Sequence, residues 1–224
     1  MNEWNRLLHE TFLSSANAEA AKRMSAYVKN HFSFYGLKTP ERKAIVSRVW
    51  KKYGAPPKNK WEIFSKQSFS SEFPREMQYA VGDLLRPIAA QIEPCFLDTI
   101  EWLVQRLSWW DTIDWLAPKL AGNVLGRHPE LIVRYPDRWI RSDNVWLVRS
   151  AILHQLHQKE RTDKERLEDY CLRHKHAKAF FIQKAMGWAL REYSKSNGDW
   201  VREFLNSNEL PKLTAKEGSK YLNR

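Results

Sequence analysis

Eight consecutive residues, Ser108-Trp109-Trp110-Asp111-Thr112-Ile113-Asp114-Trp115, hold three tryptophans and two aspartates. Tryptophan belongs in a core and aspartate in water, so packing alone seldom calls for this mixture, and the stretch points to something bound. On a helix, Trp110 and Asp114 stand at i and i+4 and project from one face. Asp111 adjoins Trp110 and suits a cap at the helix start, which leaves Asp114 as the better candidate for chemistry. Two further stretches carry groups of complementary type. DNVWLVRSAILHQL (143–156) puts Arg149 in an otherwise apolar helix, where it needs an anion, and FFIQKAMGWALREY (180–193) carries Trp188. Aromatic faces suit sugars or cations, a carboxylate suits developing positive charge, and a guanidinium suits phosphate. Taken singly, each residue also has an ordinary explanation: a core tryptophan, a capping aspartate, an arginine paired with a carboxylate of the next repeat.

The elements that must position these groups read as helices. Apolar periodicity predicts helices over 2–15, 17–30, 40–53, 60–68, 74–91, 95–107, 110–126, 129–141, 144–158, 162–174, 178–195, 198–206 and 214–222, and no strand. Thr39 reads as an N-cap before Pro40, Asp143, Thr162 and Asn197 as similar polar starters, and Gly54-Ala55-Pro56-Pro57 as a firm break. Setting Ala80, Ala117, Ala151 and Ala185 in register gives separations of 37, 34 and 34 residues, with Leu85, Leu156 and Leu190 each five residues after their alanine. That period fits a solenoid of helical pairs, with a small residue where neighbouring helices approach and leucines filling the seam. Homologous second helices then line one side of the stack, so that Trp110, Asp114, Arg149 and Trp188 converge.

Composition narrows the partners. Thirty-seven Lys and Arg against 26 Asp and Glu give a net charge of +11, which favours a polyanion such as nucleic acid or an anionic membrane surface. A curved stack of helices in so basic a chain is expected to present a concave basic face to a phosphate backbone. With 224 residues and 43% hydrophobic content, the chain is expected to fold as a single domain, 1–224, without disulfides or metals. Cys95 and Cys171 are far apart with no metal-ligand spacing. No leader-like or membrane-spanning pattern is read, so a cytoplasmic location is expected.

SWWDTID, DNVWLVRSAILHQL, FFIQKAMGWALREY, YVKNHFSFYGLKTPERK (27–43) and the closing Asn206-Ser207-Asn208-Glu209-Leu210 together resemble, in order and spacing, the DNA alkylation repair enzymes of the AlkD family, over almost the whole chain. The resemblance implies an all-α, right-handed-type α-solenoid of HEAT-like antiparallel helix pairs. It also implies a monofunctional, cofactor-free DNA glycosylase that excises cationic N3- and N7-alkylated purines from double-stranded DNA without flipping the base; chemistry on one lesion needs only a monomer, which is the expected state. Carried over by motif, Asp114 becomes the catalytic carboxylate, Trp110 and Trp188 the aromatics flanking the lesion's deoxyribose, and Arg149 a phosphate contact. Tyr27 and the Lys38, Thr39 and Lys43 segment fall on the DNA-facing surface, with Lys38 standing where the family pattern leads one to expect glutamine. The competing readings are a non-catalytic helical-repeat protein that binds DNA by shape and charge, and a helical-repeat scaffold for a protein partner.

Overall fold

The structure, a computed structural model, describes residues 1–222 and is all-helical, with no strand among the described residues. This agrees with the helical periodicity and is consistent with a helical-repeat fold. No described helix is long and apolar enough to cross a membrane. The helices group into two compact units, Met1–Ile88 and Ala89–Arg224.

The first unit holds α1 (Glu3–Ser14), α2 (Ala18–Tyr27), α3 (Thr39–Tyr53), α4 (Trp61–Ser68) and α5 (Glu76–Leu85). Asn2 and Asn17 start α1 and α2 by accepting hydrogen bonds from the Asn5 and Ala20 amides, the usual remedy for the unpaired N–H groups of a first turn. Leu8 and Phe12 of α1, Val46 and Val49 of α3, Phe64 of α4 and Met77 and Val81 of α5 form its core. Thr39 is not the cap of α3, because Lys38 takes that place and donates its own N–H to the Glu41 carboxylate at 2.9 Å. Pro40 then falls in the first turn, where its missing N–H costs no bond.

The second unit holds α6 (Phe96–Val104), α7 (Trp110–Trp115), α8 (Gly122–Arg127), α9 (Pro136–Trp139), α10 (Val145–Leu153), α11 (Lys164–Arg173), α12 (Phe180–Tyr193), α13 (Gly198–Ser207) and α14 (Lys212–Gly218). Helix α10 is its axis: Leu147 through Leu153 are all buried, as befits a helix packed on every side by α6, α7, α9, α11 and α12. Helix α12 then packs on α14. The four registered alanines, Ala80, Ala117, Ala151 and Ala185, are all completely buried, and Leu85, Leu156 and Leu190 are buried too.

Three predicted helices are interrupted, each at a proline. The 74–91 helix ends as α5 at Leu85 and continues as a tighter 3₁₀ segment across Pro87, with Ile88 outside helical geometry. The 129–141 helix is reduced to the 3₁₀ turn Pro129–Leu131 and the short α9, which begins at Pro136. The 110–126 helix persists, but a π-helical turn, Leu116–Ala121, separates α7 from α8. Pro118 lies inside this turn and has no N–H to give to the carbonyl four residues back, which belongs to Asp114, so the helix widens there instead of breaking. The caps shift by one residue as well: Asn144 and Asp163, not Asp143 and Thr162, accept from the first turns of α10 and α11, while Asn197 caps α13 as expected.

The first unit also contains a buried carboxylate that organises a loop. Glu76, fully buried at the start of α5, accepts the N–H groups of Tyr35 (3.0 Å), Gly36 (2.9 Å) and Leu37 (3.0 Å). These bonds pin the non-helical segment that leads into Lys38 and α3. Gly36 has φ +89, and a Cβ there would sit 2.0 Å from the Asn17 carbonyl oxygen, so only glycine fits. Replacing Glu76 by alanine leaves three buried amides without their acceptor. Urea unfolding should show a loss of roughly 3 kcal/mol, the scale of losing charge-assisted hydrogen bonds to buried donors, with a smaller loss for Glu76→Gln.

Candidate active site

Helices α7, α10 and α12 of the second unit each contribute to one cleft of about 410 Å³, lined by Trp110, Asp114, Arg149, Phe180, Phe181 and Trp188 together with a cluster of charged residues. Trp110 and Asp114 come from α7, one turn apart, as their spacing predicts. Asp111 lies in the first turn of α7 but is not its cap, since Trp109 holds that position. Trp109 and Trp146 pack against each other and against Phe181 of the lining, with ring centroids 5.6 Å apart for Trp109–Trp146, 5.2 Å for Trp109–Phe181 and 4.8 Å for Trp146–Phe181. This apolar backing fixes the start of α7 against α10 and α12.

At the floor, Arg149 reaches across from α10. Its Nε donates to Asp114 Oδ1 at 2.9 Å and its Nη2 to the same oxygen at 2.7 Å, while Nη1 donates to the Phe181 carbonyl at 2.8 Å. Arg149's side chain is only 5% exposed, so its charge is compensated inside the protein; Asp114's remains 25% exposed. Both bonds fall on Oδ1, and among the described residues Oδ2 accepts none. Asp114 is thus held through one oxygen with the other left as an acceptor. Burial raises its carboxyl above the ordinary aspartate value, Arg149 pulls it back down, and nearby Asp111 adds to the rise.

The remaining wall is charged. Glu217 of α14 accepts from Lys184 Nζ at 2.8 Å, Arg191 Nη1 at 2.7 Å and Lys220 Nζ at 2.8 Å. Gly187 makes this approach possible, because a Cβ at that position would lie 2.5 Å from Cβ of Glu217. Hydrogen bonds from Lys184 and Lys220 hold the Glu217 carboxyl down at about 2.

This arrangement puts two tryptophans, a tethered carboxylate and excess positive charge around one cleft. Over residues 8–222 the chain matches the family model described as DNA alkylation repair enzyme. The chain belongs to this family. A solved structure described as a predicted DNA alkylation repair enzyme from Enterococcus faecalis has the same fold, with a TM-score of 0.84 and 32% identity, over 93% of this chain and 97% of that one. No curated protein matches the sequence.

For this member of the DNA alkylation repair enzyme family, the sequence brings Trp110, Asp114, Arg149 and Trp188 to one cleft as expected. Arg149, expected at a phosphate, donates to Asp114 and to the Phe181 carbonyl. Tyr27, Lys38, Thr39 and Lys43 lie in the first unit and are all exposed, Tyr27 to 75%. Sequence reasoning did not select Phe180, Lys184, Arg191, Glu217 or Lys220. Lys184, Trp188 and Arg191 share a helical face at i, i+4 and i+7, a signal available in the sequence; no local pattern ties Glu217 to them. Among the described residues no three His, Cys, Asp or Glu side chains gather as a metal site would require.

The ion pair makes a direct prediction. Carboxyl-carbon NMR titration should place Asp114 above the usual aspartate value of about 3.9. In Arg149→Gln, where the favourable charge is gone, the midpoint should move higher still. A midpoint that stays put would remove Arg149 as the group that opposes the burial-driven rise.

Proposed function

We propose that the chain is a monofunctional DNA glycosylase that removes cationic N3- and N7-alkylated purines from double-stranded DNA, working from the sugar side without extruding the base. The observation that carries the reading is Asp114: tethered by Arg149 through Oδ1 and open at Oδ2 in a cleft lined by Trp110 and Trp188. A purine alkylated at N3 or N7 already bears positive charge. When the C1′–N bond breaks, the bonding pair leaves with the base, which departs neutral and needs no general acid.

Positive charge then appears on the deoxyribose, where the Asp114 carboxylate stabilises it and the indole faces of Trp110 and Trp188 lie against the sugar. Water adds to C1′ and gives up its proton to Asp114 Oδ2 or to solvent, leaving an abasic site. One carboxylate is enough for this chemistry, whereas a neutral glycoside requires two. Within the proposal, Arg149 acts as a positioning residue for Asp114, and Tyr27, Lys38, Thr39 and Lys43 of the first unit contact the backbone. The burial-raised carboxyl gives the pH dependence its sign: activity depends on ionised Asp114, so the rate rises with pH through an apparent value above the ordinary aspartate range.

The test is release of free base from a duplex carrying a single N7-methylguanine, beside the same duplex unmodified. Wild type should release base only from the lesion. Asp114→Asn should slow release about 10²- to 10³-fold, the scale of removing one electrostatic stabiliser from a transition state. Lesion-independent release, or an Asp114→Asn protein as fast as wild type, would defeat the assignment. Intact, salt-sensitive duplex binding with no release would favour the non-catalytic DNA-binding alternative.

A further inference from the structure

Positive charge is unevenly spread around the cleft. Arg149 and Asp114 neutralise each other, so this pair offers no net charge to an incoming anion. On the wall made by α12, α14 and the 3₁₀ turn Ser219–Tyr221 that follows it, three cations, Lys184, Arg191 and Lys220, meet one carboxylate, Glu217, and two positive charges remain. The carboxylate stays ionised, since its pKa is about 2. Exposure separates the roles: the cationic side chains are 36%, 24% and 46% accessible, while that of Glu217 is only 9%. Glu217 therefore gathers the three cations from below and leaves their outer faces to solvent. Each ammonium carries three N–H donors and the guanidinium five, more than the bonds to Glu217 consume. Lys184 and Arg191 flank Trp188 on one face of α12, which places the trio beside the aromatic proposed to hold the sugar.

We propose that Lys184, Arg191 and Lys220, gathered by Glu217, form a phosphodiester-binding subsite that grips the backbone next to the deoxyribose seated at Trp110, Asp114 and Trp188. The inference rests on the DNA reading of the cleft and adds a second phosphate contact to the one expected of Arg149. A free phosphate would share the chemistry of the backbone, and the test separates the two.

The test measures affinity for an unmodified, fluorescently labelled duplex across a sodium chloride series, for the full chain and for Lys220→Ala, Lys184→Ala and Glu217→Gln. A lost phosphate contact should weaken binding several-fold and lower the slope of log affinity against log salt by about one in each lysine variant. Glu217→Gln, which removes a negative charge and keeps the shape, should bind more tightly, an outcome that a purely structural ion-pair network would not produce. Lys164→Ala removes an exposed lysine of α11 outside the cleft and serves as the comparison. Lysine variants with wild-type affinity and slope would overturn the subsite while leaving the glycosylase reading intact, as would an equal loss in Lys164→Ala. Phosphorus NMR showing inorganic phosphate bound by wild type and lost in Lys220→Ala, with duplex binding unchanged, would overturn the DNA assignment in favour of free phosphate. Failure of wild type to bind any duplex would overturn both readings together.

Discussion

The candidate site depends on a buried charge that cannot be left alone. Arg149 sits in a helix whose neighbouring residues are all buried, and its guanidinium is out of water. Removing one partner of such a pair costs roughly 3–5 kcal/mol, because the remaining charge is stranded in a poor dielectric. Asp114 meets this need and, in doing so, is fixed in orientation. The same contact ties α10 to α7, while the bond to the Phe181 carbonyl ties it to α12. The packing of these three helices and the placement of the carboxylate thus share one side chain.

Burial works in both directions here. Withdrawal from water makes Asp114 easier to protonate, and Arg149 opposes that tendency from a single side. The result is a carboxylate with one oxygen bound by Arg149 and the other left as an open acceptor. Glu217 shows the opposite balance: Lys184 and Lys220 overwhelm desolvation, and its carboxyl is held at about 2. Two carboxylates in one cleft thus have different tasks, one exposed to whatever enters and the other buried beneath its counterions.

Much of this was legible in the amino-acid sequence, and the failures have physical causes. Helical periodicity located most of the helices, and the i, i+4 spacing of Trp110 and Asp114 set them on one face because that spacing is fixed by helix geometry. Prolines were underestimated: Pro87, Pro118 and Pro136 each alter a helix that apolar spacing alone describes as continuous. The partner of Arg149 was legible only as a need for an anion, since a side chain 35 residues away cannot be chosen by local pattern. Glu217 stood outside that reading altogether; it joins the cleft through the absence of a side chain at Gly187. The loop before Lys38 likewise owes its shape to Glu76, about 40 residues further on.

The π turn after α7 carries one more implication. A π turn is equivalent to one extra residue wound into an α-helix, which advances the helical phase by about 100° without changing the axis. Residues before it, Trp110 and Asp114, are indexed to the cleft, whereas Ala117, Leu120 and Ala121 within it are indexed to the core. The two halves therefore answer to different constraints across a single proline. The turn at Pro118 thus lets the start of the segment keep its phase on the cleft while the turn itself keeps its phase in the core.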